Sequence, residues 1–115
     1  MLFMNHSPAV HPVSEAALRV FVETLQLKAY SKNTIRTYRS EFIQLLSLLK
    51  SVPVESLDAA RLRSYFLYCS QTLKLSENTL HSRINAVKFY FEQVLHRKNS
   101  SLKFQDPKSH PYFQK

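Results

Sequence analysis

Residues 31–50 have the sequence SKNTIRTYRSEFIQLLSLLK, the clearest helical stretch in the chain. Its hydrophobic residues recur at intervals of three and four, at Ile35, Tyr38, Phe42, Leu45, Leu46 and Leu49. That spacing places them on one face of an α-helix, and a serine such as Ser31 caps a helix by accepting a hydrogen bond from a backbone N–H. The stretch therefore predicts an amphipathic helix that begins at Ser31 and ends near Lys50.

Three more helices are predicted by the same reasoning. The first runs from Ser14, as its N-cap, to Leu27; the third begins after Asp58, beyond a break at residues 51–57; the fourth runs from Ser76 to about Arg97. The expected core residues are Leu18, Phe21, Val22 and Leu25 in the first helix, Leu62, Tyr65, Phe66, Cys69 and Leu73 in the third, and Leu80, Ile84, Val87, Phe91 and Val94 or Leu95 in the fourth. We therefore expect an all-α fold, a compact four-helix bundle.

The composition excludes several other classes of protein. The 115-residue chain has no glycine, which argues against phosphate-cradling loops and tight hairpin turns, and its single cysteine excludes an internal disulfide. It has neither an apolar run of the roughly 20 residues that a membrane helix needs nor a signal peptide. We expect a cytoplasmic protein with no membrane contact, no cofactor and no small-molecule substrate.

Positive charge is concentrated in two of the predicted helices. The net charge is +8, of which residues 28–50 carry +4 and residues 74–98 carry +3. These helices also start alike, with SKNTIRT at residues 31–37 and SENTLHS at residues 76–82. A helix start has unpaired N–H groups and a partial positive charge, so added hydroxyl, amide and basic side chains favour phosphate binding. We expect the two starts to come together as one cationic surface for DNA.

The candidate DNA-binding residues lie at these starts and along the outward faces of the two helices. They are Lys32, Asn33, Thr34, Arg36, Thr37 and Arg39 in the second helix, and Ser76, Asn78, Thr79, His81, Ser82, Arg83, Asn85 and Lys88 in the fourth. Serine is an ordinary helix cap and a basic stripe is usually a solvated face, but recurrence in two helices favours nucleic-acid binding.

Other reactive residue types do not form a convincing site. His81 and His96 are too far apart along one helix for a close metal pair, and the six tyrosines lie mostly at core or boundary positions. Phe89 is expected to point away from the core, where it either packs under the C-terminal tail or contacts another protein. A helical protein-interaction domain with a basic surface is therefore the alternative to DNA binding.

The chain resembles the SAM-like, core-binding N-terminal domain of tyrosine recombinases of the Xer and phage-integrase type, over residues 14–97. The resemblance rests on YSxxTxxxY at residues 30–38 followed by Phe42, and on SxxTLxxRIxAVK at residues 76–88 followed by Tyr90 and Phe91. It implies a four-helix domain that lays its second and fourth helices across the DNA major groove and positions a separate catalytic domain. The DNA contacts it implies are Thr34, Arg36, Thr37, Arg39, Asn78, Thr79, Ser82, Arg83 and Lys88.

The catalytic residues of that family have no counterpart in this chain. The family uses arginines, a lysine, a His-x-x-Arg motif and a nucleophilic tyrosine in a C-terminal domain, and residues 81–83 have the wrong spacing for the motif. We therefore expect no enzymatic activity from this chain, a flexible segment at 1–13, and a linker toward the catalytic domain at 98–115. The chain is then either an excised fragment or a natural truncation. The full-length protein would meet other protomers on DNA during integration or another recombination reaction.

Overall fold

A computed structural model describes residues 10–97, which form helices joined by short loops. The elements are α1 at Pro12–Leu27, α2 at Lys32–Leu49, a 3-10 turn at Val54–Ser56, α3 at Ala59–Gln71, α4 at Glu77–Phe89 and a π turn at Tyr90–Val94. The described residues include no β-strand, and the all-α prediction with four main helices is confirmed. Of the terminal segments predicted at residues 1–13 and 98–115, residues 1–9 and 98–115 lie outside the described residues.

Three of the four predicted helix caps are present. Ser31, Asp58 and Ser76 each accept a hydrogen bond from the backbone N–H three residues later, at 3.1, 2.9 and 3.2 Å. Each cap satisfies one of the N–H groups that a helix start leaves unpaired. The sequence signal was reliable here because the cap and its partner lie within a single turn.

The predicted cap of α1 was wrong. This helix begins at Pro12, and the imidazole of His11 accepts from the backbone N–H of Val13 at 3.1 Å. Ser14 instead lies inside the first turn and is buried. Proline suits the first helical position because it has no N–H to leave unsatisfied and its φ is already helical.

Aromatic side chains form the centre of the bundle. Phe21, Phe42 and Phe91 are fully buried, and the rings of Phe21 and Phe42 stack with their centroids 4.2 Å apart. The predicted core residues of α1, α2 and α3 lie in or against this cluster, with the exception of Leu73. Leu73 is exposed because α3 ends at Gln71, before that position.

Three consecutive aromatic residues, Phe89, Tyr90 and Phe91, are all buried at the end of α4. The helix widens there into the π turn, which the N–H of Leu95 closes by donating to the carbonyl of Tyr90, five residues earlier, at 3.0 Å. The expectation that Phe89 is exposed was wrong. The joint between α1 and α2 covers this end of α4, with the ring of Tyr30 centred 5.5 Å from that of Phe89.

Four non-glycine residues have positive φ in the loops that follow the helices. They are Ala29, Lys50, Lys74 and His96, with φ of 64°, 54°, 54° and 57°. Glycine usually occupies such positions because a Cβ atom raises the energy of left-handed backbone. Since the chain contains no glycine, these joints retain that cost.

Within residues 10–97, no helix has the length and apolar character that a membrane span requires.

Candidate nucleic-acid interface

The N-terminal half of α2 presents an exposed, positively charged surface. Lys32, Asn33, Arg36, Thr37 and Arg39 are all exposed. The guanidinium of Arg36 donates to the side-chain carbonyl of Asn33 at 3.0 Å. This bond holds the guanidinium along the first turn of the helix, and the positive charge of Arg36 remains because the amide of Asn33 is uncharged. The sequence from residue 28 to residue 40 contains no acidic residue. This half of α2 is therefore suited to an anionic partner.

The starts of α2 and α4 have the same local geometry. At both, the cap serine accepts from the threonine N–H and also donates to the threonine hydroxyl, at 3.0 Å from Ser31 to Thr34 and 3.0 Å from Ser76 to Thr79. The threonine oxygen accepts that bond and keeps its own proton to donate. Each start can thus offer a threonine hydroxyl to a phosphate at the positive end of the helix dipole.

The outward face of α4 is polar but carries little charge. Ser76, Asn78 and Asn85 are exposed, and four further candidates are half-buried, namely Thr79, His81, Ser82 and Lys88. Glu77 adds a negative charge at the first helical position. The face therefore offers amide and hydroxyl groups more than cations, unlike that of α2.

Arg83 lies in the core and not on the DNA-facing surface that the sequence predicted. Its side chain is 6% exposed, and its Nε donates to Oε1 of Glu41 in α2 at 2.8 Å. Its Nη1 donates to the hydroxyl of Tyr65 at 3.4 Å and contacts Sγ of Cys69 at 3.8 Å, both in α3. The flank of α4 that seemed open on a helical projection faces these two helices. Arg83 therefore joins three helices instead of contacting a ligand.

The starts of α2 and α4 do not come together, contrary to the expectation from sequence. Phe89, at the end of α4, packs against Tyr30, which directly precedes the start of α2. The start of α4 is about 18 Å away from Phe89 along the helix axis, at 1.5 Å per residue. The two helix starts are therefore separate points and not one continuous patch.

A small polar depression of about 230 Å³ lies between the N-terminal part of α2 and the C-terminal part of α4. Its walls include Tyr30 and Tyr38 from the α2 side, and Asn85, Lys88 and Glu92 from the α4 side. Burial, followed by the neighbouring Tyr30, raises the pKa of Tyr38. The sequence assigned both tyrosines to packing, and their spacing alone gave no signal that they border candidate binding residues.

Within residues 10–97, no cluster of three or more His, Cys, Asp or Glu side chains could hold a metal ion. His81 is half-buried and His96 is exposed.

The chain matches the model of a family described as phage integrase, N-terminal SAM-like domain, over residues 18–100. The chain belongs to this family. The match covers most of the chain, from the first half of α1 to beyond the π turn, and it confirms the resemblance found from the sequence. In integrases, this SAM-like domain is not the catalytic domain. No curated protein and no solved structure matches the chain.

Proposed function

We propose that this domain binds duplex DNA through the first turns and outward faces of α2 and α4. The observation that supports it most is the pair of matched Ser–Thr starts, because each places a hydroxyl donor at the positive end of a helix dipole. Membership of the integrase family supports DNA as the anion. Half or more of protein–DNA hydrogen bonds go to the phosphate and sugar backbone, which such starts suit.

The two helices have different roles in this proposal. Lys32, Arg36 and Arg39 of α2 neutralise phosphates, since they are exposed and the next acidic residue, Glu41, is paired with Arg83. On α4, Asn78 and Asn85 are the candidates for base edges, because a side-chain amide can pair with adenine in the major groove. The start of α4 lies about 18 Å along its axis from the end that packs beside the start of α2, so the two starts can contact separate backbone positions of one duplex, whose major groove is about 12 Å wide.

A salt titration of duplex binding tests the proposal. Affinity should fall steeply as salt rises, and the double variant Lys32→Ala with Arg36→Ala should reduce the slope of log affinity against log salt by about 2, one for each lost phosphate contact. Fluorescence anisotropy with a labelled random-sequence duplex measures both quantities.

The matched control removes the same charge from another helix. Arg61 and Arg63 are exposed on α3, so Arg61→Ala with Arg63→Ala should leave the slope close to that of the unchanged protein. Equal effects of the two double variants would mean that net charge, and not α2, attracts the DNA, and would contradict the proposal.

In the whole recombinase, the domain would hold DNA for a separate catalytic domain during integration or another recombination reaction in the cytoplasm, beside other protomers. The alternative of a protein-interaction domain was based on an exposed Phe89. Since Phe89 is buried, that support for the alternative is lost, and DNA binding is the function that the remaining observations favour.

A further inference from the structure

An apolar groove of about 700 Å³ lies between the C-terminal half of α2 and α3. None of the candidate DNA-binding residues lines it. Leu48 and Tyr68, which form part of its walls, are 49% and 39% exposed. An open apolar groove of this size is typical of a binding site for a hydrophobic partner.

The described chain ends beside this groove. The guanidinium of Arg97 donates to the backbone carbonyl of Leu57 at 2.8 Å and to that of Glu55, and it lies 4.9 Å from the centre of the Phe91 ring. The side chain of Leu57 is part of the groove wall. Arg97, the last described residue, is therefore bonded to a residue of the groove wall.

We propose that the segment 98–105 of this same chain binds in the groove, with Leu102 and Phe104 as its anchors. These are the first hydrophobic residues after Arg97, and Lys103 lies between them. In an extended segment, residues two apart point the same way, so both anchors can enter the groove while Lys103 points to solvent.

The length of the segment fits this placement. Leu102 is five residues beyond Arg97 and can reach about 17 Å in an extended chain. The groove follows α3 from Asp58 to Tyr68, a length of about 15 Å at the helical rise. Leu102 and Phe104 can therefore reach any part of the groove from its rim.

The contact between Arg97 and Leu57 favours this occupant over two others. Residues 1–9 also carry hydrophobic side chains, among them Phe3, and a second copy of the domain could supply an apolar face. Within residues 10–97, the last residue, Arg97, is bonded to the groove wall, whereas the first, Val10, packs against the hydrophobic core. The proposal is independent of DNA binding, since the groove shares no residue with the proposed interface.

Paramagnetic broadening in the 115-residue chain tests the proposal. A nitroxide on Ser101→Cys should broaden the NMR signals of Leu48 and Tyr68, and buried Cys69 should stay unlabelled. Adding Leu102→Asp and Phe104→Asp should remove most of the broadening, at least several-fold, because two buried carboxylates are not tolerated in an apolar groove. Both substitutions lie outside the described core, so circular dichroism should show unchanged helix content.

Two controls identify other occupants. Phe3→Asp should leave the broadening unchanged; a loss equal to that of the double variant would assign the groove to residues 1–9. Spin-labelled chain mixed with isotope-labelled, spin-free chain should show no broadening, and broadening there would assign it to a second copy. Broadening that survives Leu102→Asp with Phe104→Asp would also overturn the proposal.

Discussion

Nε of Arg83 donates to Oε1 of Glu41 at 2.8 Å and so ties α4 to α2 inside the bundle. Removing one partner of a buried pair leaves an uncompensated charge, so Glu41→Ala should lower the free energy of unfolding by about 3 kcal/mol. Urea denaturation measures it. Glu41→Leu combined with Arg83→Met should recover much of the loss, and a double variant no more stable than Glu41→Ala would contradict this explanation.

Phe89 should behave as a core residue. Its ring makes edge contacts with Phe21 and Tyr38, with centroids 5.7 and 6.2 Å apart, so Phe89→Ala should leave a cavity and cost about 3 kcal/mol or more. Leu27→Ala is the control, because Leu27 is 86% exposed and its loss should stay within about 0.5 kcal/mol. Similar midpoints of thermal unfolding for the two variants would show that Phe89 does not pack as described.

The cap serines allow stability and DNA binding to be separated. Ser31→Ala should cost about 1 kcal/mol of stability, whereas Ser31→Asp should retain the cap, because aspartate accepts the same N–H bond. Its charge should nevertheless repel phosphate and weaken duplex binding. Ser64→Asp places the same charge on the exposed face of α3 and is the control for anisotropy measurements. If both aspartate variants bind DNA equally, the start of α2 is not a phosphate site.

Ionisation of Tyr90 should lower the free energy of unfolding at alkaline pH. Burial, followed by the nearby Glu55, raises the pKa of Tyr90 to about 12, while Arg97 lowers it by a smaller amount. An unfolded tyrosine has a pKa of about 10. From about pH 10 to about pH 12, the unfolded chain therefore loses a proton that the folded chain keeps, and stability falls by about 1.4 kcal/mol per pH unit.

The variant Tyr90→Phe removes this ionisation. Its free energy of unfolding, measured in urea across that pH range, should fall less steeply than that of the unchanged protein. Burial also raises the pKa of Tyr65, so part of the alkaline loss should remain. Identical slopes for the variant and the unchanged protein would exclude Tyr90 as a source.

Replacing Lys50 with glycine should make the folded protein more stable. Its backbone has φ 54° and ψ −117°, where a Cβ atom is unfavourable, so Lys50→Gly should raise stability by about 1 kcal/mol. Lys28 also follows a helix, but its φ is −88°. At this position glycine relieves no strain and only raises the conformational entropy of the unfolded chain. Lys28→Gly should therefore be neutral or slightly destabilising. Chemical denaturation should show that Lys50→Gly raises the free energy of unfolding and that Lys28→Gly does not. A gain in stability from both variants would contradict this explanation.

The sequence predicted those features that depend on local interactions. The caps at Ser31, Asp58 and Ser76 and the core stripe of α2 each depend on residues within a turn or two, so their spacing was sufficient. The family resemblance was also visible because its motifs occur at these helix starts.

Features that depend on how helices pack could not be predicted in this way. A helical projection shows which side chains share a face, but not which neighbouring element covers that face. Arg83 and Phe89 both lie on flanks of α4 that other parts of the chain cover, and both were placed outside the core. Their burial makes α2, more than α4, the source of exposed positive charge.

The π turn that follows Phe89 also limits how the chain can misfold. Phe89, Tyr90 and Phe91 are consecutive, and each has a contact of its own: Phe89 with Tyr30, Tyr90 with Phe42 and Phe91 with Arg97. A shift of the end of α4 by one residue in register would break the contacts of all three rings at once. The aromatic triplet thus penalises shifted registers and helps the sequence to specify one native arrangement among compact alternatives.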